Sequence, residues 1–187
     1  MHFKEIEHKF VVDDQFDLAE FRRCLDACSP VRQTSLRVRD RYFLTRDGRE
    51  RGYVIRHRFD EELHQLTIKA LADDPQVRDE VSIDLGHHAG AQEAQVDAFV
   101  THMGALWSGA IEKDLTVWYF PDCEVVHYVA SSDGRSVTCV EFEATLKESV
   151  PAALAILDRY EGRTGFDTAT RCRQSLPEIL FPDTFAR

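Results

Sequence analysis

Five short patterns in this chain place polar residues two apart: Glu5-Ile6-Glu7-His8-Lys9, Arg56-His57-Arg58, Thr67-Ile68-Lys69, Arg78-Asp79-Glu80 and Glu141-Phe142-Glu143. On an extended strand, residues i and i+2 point to the same side. Each pattern therefore delivers two or three polar groups to one face. Guanidinium forks and ammonium groups match phosphoryl oxygens, so Arg56 and Arg58, with Lys9 and Lys69, are candidate phosphate holders. Glu5, Glu7, Glu141 and Glu143 pose the opposite problem. Carboxylates gathered on one interior surface repel and resist ionisation unless a counter-charge joins them. A divalent cation resolves that repulsion. Mg²⁺ takes oxygen ligands and completes its shell with water and phosphate, and Mn²⁺ accepts the same donors.

These side chains act together only if their strands do. Period-2 alternation predicts strands over 3–12, 35–45, 52–60, 63–70, 77–85, 113–120, 124–130 and 137–146. Turns are expected at Arg46-Asp47-Gly48, Asp60-Glu61-Glu62, Asp73-Asp74-Pro75, Pro121-Asp122 and Ser132-Asp133-Gly134. Helical periodicity covers 16–28, 90–107 and 150–163, with a short helix over 173–180 that stops at Pro182. Strands joined by such short turns are mostly antiparallel, and eight of them suggest a closed or nearly closed barrel. The expected class is α+β, an eight-stranded antiparallel β-barrel with helices packed outside. Opposite the charged faces stand Ile6, Ile55, Leu66, Ile68, Val81, Ile83, Val140 and Phe142. Helices covering those apolar faces would leave the charges pointing inward, into a water-filled tunnel. A half-exposed sheet with a solvated charged face shows the same alternation.

Composition bounds the rest. The 187 residues are 43% hydrophobic and 30% charged, an ordinary globular balance. One domain over residues 1–187 is expected. Lys plus Arg is 23 and Asp plus Glu is 33, a formal net charge of −10. That balance argues against a nucleic-acid partner. No apolar run approaches the roughly 20 residues that span a bilayer, and MHFKEIEHKF carries no signal-peptide block. A cytoplasmic protein with no membrane partner is expected. The five cysteines, Cys24, Cys28, Cys123, Cys139 and Cys172, contain no C-x-x-C pair, which argues against a zinc site. His8, His57, His87, His88 and His127 read as surface or helix-facing, and Trp107 and Trp118 as core or interface. A homodimer is left open, because nothing in the sequence specifies it.

The patterns taken in order resemble the CYTH family, named for class IV adenylate cyclases and thiamine triphosphatases. Glu5-Ile6-Glu7-His8-Lys9 looks like its E-x-E-x-K strand and Asp40-Arg41-Tyr42-Phe43 like its D-x-Y-F segment. Ile55-Arg56-His57-Arg58, Leu66-Thr67-Ile68-Lys69, Arg78-Asp79-Glu80 and Glu141-Phe142-Glu143 look like its R-x-R, L-T-x-K, R-x-E and late E-x-E strands. The resemblance implies an eight-stranded tunnel that holds a small-molecule triphosphate. It implies metal ligation by Glu5, Glu7, Glu80, Glu141 and Glu143, with Mg²⁺ or Mn²⁺ as cofactor. It implies a phosphate-binding set of Lys9, Arg56, Arg58, Lys69, Arg78, Lys113 and Arg173, and a catalytic set of Glu5, Glu7, Lys9, Glu141 and Glu143. The chain departs from the pattern at Ser82, where a second Glu is common, and at Leu115, where an Arg is usual. It also lacks an Asp over Val125-Val126-His127-Tyr128-Val129. The expected function is metal-dependent hydrolysis of a linear triphosphate, inorganic tripolyphosphate or an organic triphosphate, by in-line attack of water on a terminal phosphorus. The alternatives are a class IV adenylate cyclase and a non-catalytic polyphosphate or nucleotide binder.

Overall fold

The computed structural model describes residues 4–71 and 76–185. Residue Phe3, expected to open the first strand, and the turn Asp73-Asp74-Pro75 lie outside the described residues. Eight strands form: β1 Lys4–Val12, β2 Arg32–Thr45, β3 Tyr53–Phe59, β4 His64–Ala70, β5 Val77–Asp84, β6 Ala105–Tyr119, β7 Cys123–Ser132 and β8 Arg135–Ala144. They close into one barrel in the order β1-β5-β4-β3-β2-β6-β7-β8, with every neighbouring pair antiparallel. The helices are α1 Leu18–Ala27, α2 Arg46–Arg51, α3 Glu93–His102, α4 Val150–Thr164, α5 Leu176–Leu180 and α6 Pro182–Phe185. Among the described residues, no helix is long and apolar enough to cross a membrane.

Most of the core lies outside the barrel, between its wall and the helices. Ile6, Phe10, Trp118, Val125, Val140 and Phe142 turn outward from β1, β6, β7 and β8 and meet Phe21 and Leu25 of α1 and Ala153, Leu157 and Tyr160 of α4. Phe21 and Leu25 are four residues apart and so share one helix face. Asp17 starts α1 by accepting from the Glu20 amide, and Ser149 starts α4 by accepting from the Ala152 amide. Val96 and Val100 of α3 cover Phe43 and Ile55 on the β2–β3 wall. The third cluster caps one barrel end, where Leu176, Leu180 and Phe181 pack on Tyr42, Val54 and Tyr128.

Several boundaries differ from the sequence expectation. The turn at Arg46-Asp47-Gly48 is the start of α2, nucleated by Thr45 Oγ1 accepting from the Gly48 amide and ended by Gly52 at φ 73°. The helix expected over 90–107 spans Glu93–His102, and Gly104 at φ 77° leads into β6, which begins at Ala105 rather than Lys113. The apolar residues Leu106 and Trp107 fit either period, and tertiary pairing decides. Trp107 sits opposite Leu44 on β2 and packs 4.7 Å from Phe181. Likewise β2 starts at Arg32, pairing with Tyr119 through a ladder that sequence alternation does not show. The last expected helix starts at Leu176, set by a capping box between Ser175 and Glu178. Pro182 opens α6 instead of ending all helix, a position proline tolerates. Leu157 is fully buried between α4 and the barrel. Leu157→Ala is expected to lower unfolding free energy by about 2–5 kcal/mol, measured by urea denaturation.

Candidate active site

Strand register decides what meets inside the barrel. Glu5 of β1 is opposite Arg78 of β5. Glu7 and Lys9 are opposite Glu143 and Glu141 of β8. Lys69 of β4 is opposite Glu80 of β5, and Arg58 of β3 is opposite Asp40 of β2. These side chains enclose a lumen of about 190 Å³ lined by Glu5, Glu7, Lys9, Arg56, Arg58, Lys69, Arg78, Lys113, Glu141 and Glu143. Glu80 joins the same network through its bonds to Lys69 and Arg56. Ser175, Leu176 and Pro177 reach the lumen from the capped end.

Nearly every base holds an acid. Lys69 Nζ lies 2.8 Å from Glu5 Oε1 and 2.9 Å from Glu80 Oε2. Arg78 pairs with Glu7 and places its Nε 3.2 Å from Glu5 Oε2. Lys9 Nζ is 3.2 Å from Glu141 Oε1, which also accepts from the Tyr128 hydroxyl at 2.8 Å. Arg58 grips Asp40 with two bonds of 2.7 Å, and Lys113 Nζ adds a third at 2.7 Å. Arg56 is held most loosely. Its Nη2 reaches Thr67 and Glu80 only at 3.4 Å, and its buried Nε, like that of Arg78, has no hydrogen-bond partner among the described residues.

The electrostatics follow. Burial alone would raise Asp40, but Arg58 and Lys113 outweigh it and hold the carboxyl well below its usual range. The same contest, won by Lys69 and Arg78, lowers Glu5. Burial also opposes ionisation of Glu141, which Lys9 and Lys113 nonetheless lower. Burial would depress Lys9 and Lys69, and the partner glutamates raise both. Glu143 goes the other way. Burial and the like charge of Glu5 push it up to about 7, and Lys147 at 3.0 Å offsets only part of that. Glu124, opposite Glu143 on β7, is also raised by burial.

The expected residues divide accordingly. Glu5, Glu7, Lys9, Arg56, Lys69, Arg78, Glu80, Lys113, Glu141 and Glu143 meet in or at the lumen. Arg58 lines it too, but its fork is committed to Asp40. Arg173 does not join them; it is exposed in the segment before α5 and lies off the lumen lining. That segment carries no alternation from which its direction could be read. The sequence reading missed the roles of Asp40, Glu124, Tyr128 and Lys147. Asp40 shares the inward parity of Val38 and Tyr42 and was legible on that ground. Glu124 opens β7 beside a turn, one residue before the stretch where an acid was sought. Lys147 follows β8 in a loop, where no periodicity points to it.

The described histidines stay off the lumen lining. His8 is buried against α4, with Nδ1 2.5 Å from Glu161 Oε1, and His57 Nε2 lies 3.2 Å from His64 Nε2. Among the described residues, the trio of metal-ligand side chains with atoms all within 4.8 Å is His8, Asp158 and Glu161, on this outer face. Among the described residues, no three lumen glutamates each bring an oxygen within 4.8 Å of the others. Their donor set is all oxygen, and Glu143 beside Glu5 marks a place short of positive charge. Those two features fit a hard divalent cation.

No family model and no curated protein matches the chain in sequence. Solved structures do match in fold. A protein from Pyrococcus horikoshii OT3, PH1012, superposes with a TM-score of 0.72 at 15% identity, over 94% of this chain and 99% of its own. A candidate adenylate cyclase from Bacillus halodurans gives 0.59 at 16% identity, over 98% and 99%. HpAC1 from Hippeastrum, a candidate adenylyl cyclase with a dominant triphosphatase activity, gives 0.52 at 16% identity, over 87% and 88%. The class of structure is thus a closed antiparallel tunnel with a charged lumen. The eight-stranded closed antiparallel barrel with helices outside is the fold that the sequence resemblance implies.

Two predictions test the electrostatics. Asp40→Asn leaves Arg58 and Lys113 buried without their counter-charge and is expected to cost about 3–5 kcal/mol in chemical denaturation. Glu143 titrates at about 7 in the fold and near 4.3, roughly, when unfolded. The folded chain therefore keeps a proton that the unfolded chain releases, so this contribution to stability is present at acid pH and is lost as pH rises through about 7. Glu143→Gln abolishes that loss. The Tm advantage of the variant over the native chain should grow from acid to neutral pH and then level off.

Proposed function

We propose that this protein is a metal-dependent hydrolase of a linear triphosphate bound inside the barrel. The observation that carries the reading is the enclosed lumen in which bases from β1, β3, β4, β5 and β6 converge, with the Arg56 fork left under-bonded. Six bases, Lys9, Arg56, Arg58, Lys69, Arg78 and Lys113, face seven carboxylates, Glu5, Glu7, Asp40, Glu80, Glu124, Glu141 and Glu143, with Asp60 and Glu62 also on the lining. The interior has no excess of bases, so it cannot take up a polyanion of about four charges without accompanying cations.

Glu5 and Glu7 would hold a divalent cation, which when bound supplies charge neutralisation and polarises the phosphoryl group. The protein side chains do the rest. Arg56, Lys9 and Lys69 bind phosphoryl oxygens, each exchanging a carboxylate partner for phosphate. Asp40 fixes Arg58 and Lys113 as a rigid cationic corner. Glu143, poised near neutrality, accepts the proton of the attacking water. The barrel wall keeps bulk water away from the reacting phosphate. The triphosphatase activity of the Hippeastrum neighbour supports this reading over cyclisation. The test is phosphate release from tripolyphosphate, ATP and thiamine triphosphate with Mg²⁺ or Mn²⁺. Glu7→Gln is expected to cut metal-dependent release by about a hundredfold; release at the native rate would remove the assignment, and cyclic AMP with pyrophosphate would replace it by a cyclase.

A further inference from the structure

The lumen is not charged all round. β2, β6 and β7 turn Leu36, Leu115, Val117 and Val126 into it. Register makes them one patch, with Leu36 opposite Leu115 and Val117 opposite Val126. Leu36, Leu115 and Val126 are only half-buried, so part of their hydrocarbon meets the open lumen. Leu115 and Val126 also pack on the cluster beneath α5, which covers one flank of each and leaves that remainder. Tyr119 ends the wall, its ring 4.1 Å beneath the Arg32 guanidinium and its hydroxyl 3.3 Å from Glu62. Three bases stand across the lumen, Arg56 on β3, Lys69 on β4 and Arg78 on β5, while Lys113, at the end of the patch on β6, is held by Asp40.

A lumen split lengthwise in this way suits a ligand split the same way. Inorganic tripolyphosphate is polar on every side. Filling the lumen, it would turn oxygens toward this patch, whose side chains offer no donor, and each buried, unpaired oxygen costs binding energy. An ester with an apolar organic group meets donors on one side and hydrocarbon on the other. Resting on the lumen as the phosphate site proposed above, we infer that the ligand is a triphosphate ester of an apolar alcohol. Its phosphates lie along Arg56, Lys69 and Arg78, and its hydrocarbon lies along Leu36, Leu115, Val117 and Val126. Leu115 and Val126 then become the residues that select the organic group.

The test compares benzyl triphosphate with inorganic tripolyphosphate, both with Mn²⁺, by calorimetric binding and by phosphate release. The native chain is expected to favour the benzyl ester by about tenfold or more. Leu115→Arg puts a guanidinium on the apolar wall and should reverse the preference. Val126→Thr keeps the side-chain shape while adding a hydroxyl, and should narrow the ratio several-fold even if the arginine variant does not fold. Tripolyphosphate bound as tightly as the ester by the native chain, or a ratio unmoved by Val126→Thr, overturns this inference and leaves the phosphate site standing. Binding of neither compound overturns the phosphate site itself.

Discussion

Charges enclosed in a closed barrel must cancel, and the rest of the structure depends on how this one cancels them. Moving an ion out of water costs several kcal/mol unless a partner meets it in good geometry. Here the partner is supplied mainly by register. Inserting β1 between β5 and β8 puts the Glu5-Glu7-Lys9 face next to Arg78 on one side and to Glu141 and Glu143 on the other. Pairing β2 with β3 delivers Asp40 to Arg58, and Lys113 of β6 completes the corner from the far side. A slip of one residue in any of these ladders would turn the charged face against the helices and the apolar face into the lumen. The ion pairs are therefore weak evidence for net stability but strong evidence for register, since each disfavours the slipped alternatives.

The pairing of bases with acids also shapes what the lumen can bind. A wall of bases alone would attract any anion. Bases already holding acids take up only a ligand able to compete for them, and the competition frees carboxylates that then need a cation. On the proposed reading, uptake of a polyanion and uptake of a divalent metal would be coupled by charge balance, without any moving lid. The residues that carry this coupling are those whose shifts point in opposite directions. Asp40 and Glu5 remain ionised through their bases, whereas Glu143, with Glu5 close by and only Lys147 to offset it, holds its proton to about 7. Groups with such divergent environments divide into scaffold and reagent.

How much of this the sequence showed follows from period. Strands that alternate charged and apolar residues, such as β1, β3, β4 and β8, were legible along with the direction of their charges. Where the alternation is hydrocarbon on both faces, as at the start of β6, helix and strand look alike, and the 3.6-residue pattern was extended too far, to Trp107. Only the β2–β6 ladder resolves it. Partnerships were less legible than directions. Arg58 pointed inward as expected, but that its fork is filled by Asp40 depends on a cross-strand neighbour 18 residues away. Residues outside periodic elements gave no signal, which is why Arg173 was placed in the lumen and Lys147 was not.

The fold separates the two demands that usually compete within one core. Apolar packing lies outside the wall, under α1, α3 and α4, and stability does not require the inner face to be filled with hydrocarbon. The inner face can then change residue by residue so long as its charges still balance. Leu115 shows what that freedom permits. It shares the inward face of β6 with Lys113 and Val117, and with Leu36 and Val126 it forms a hydrocarbon stretch beside an intact set of ion pairs. Lys113 is held by Asp40 and asks nothing of its apolar neighbours, so charge and hydrocarbon stand side by side on one strand without either having to hold the fold together.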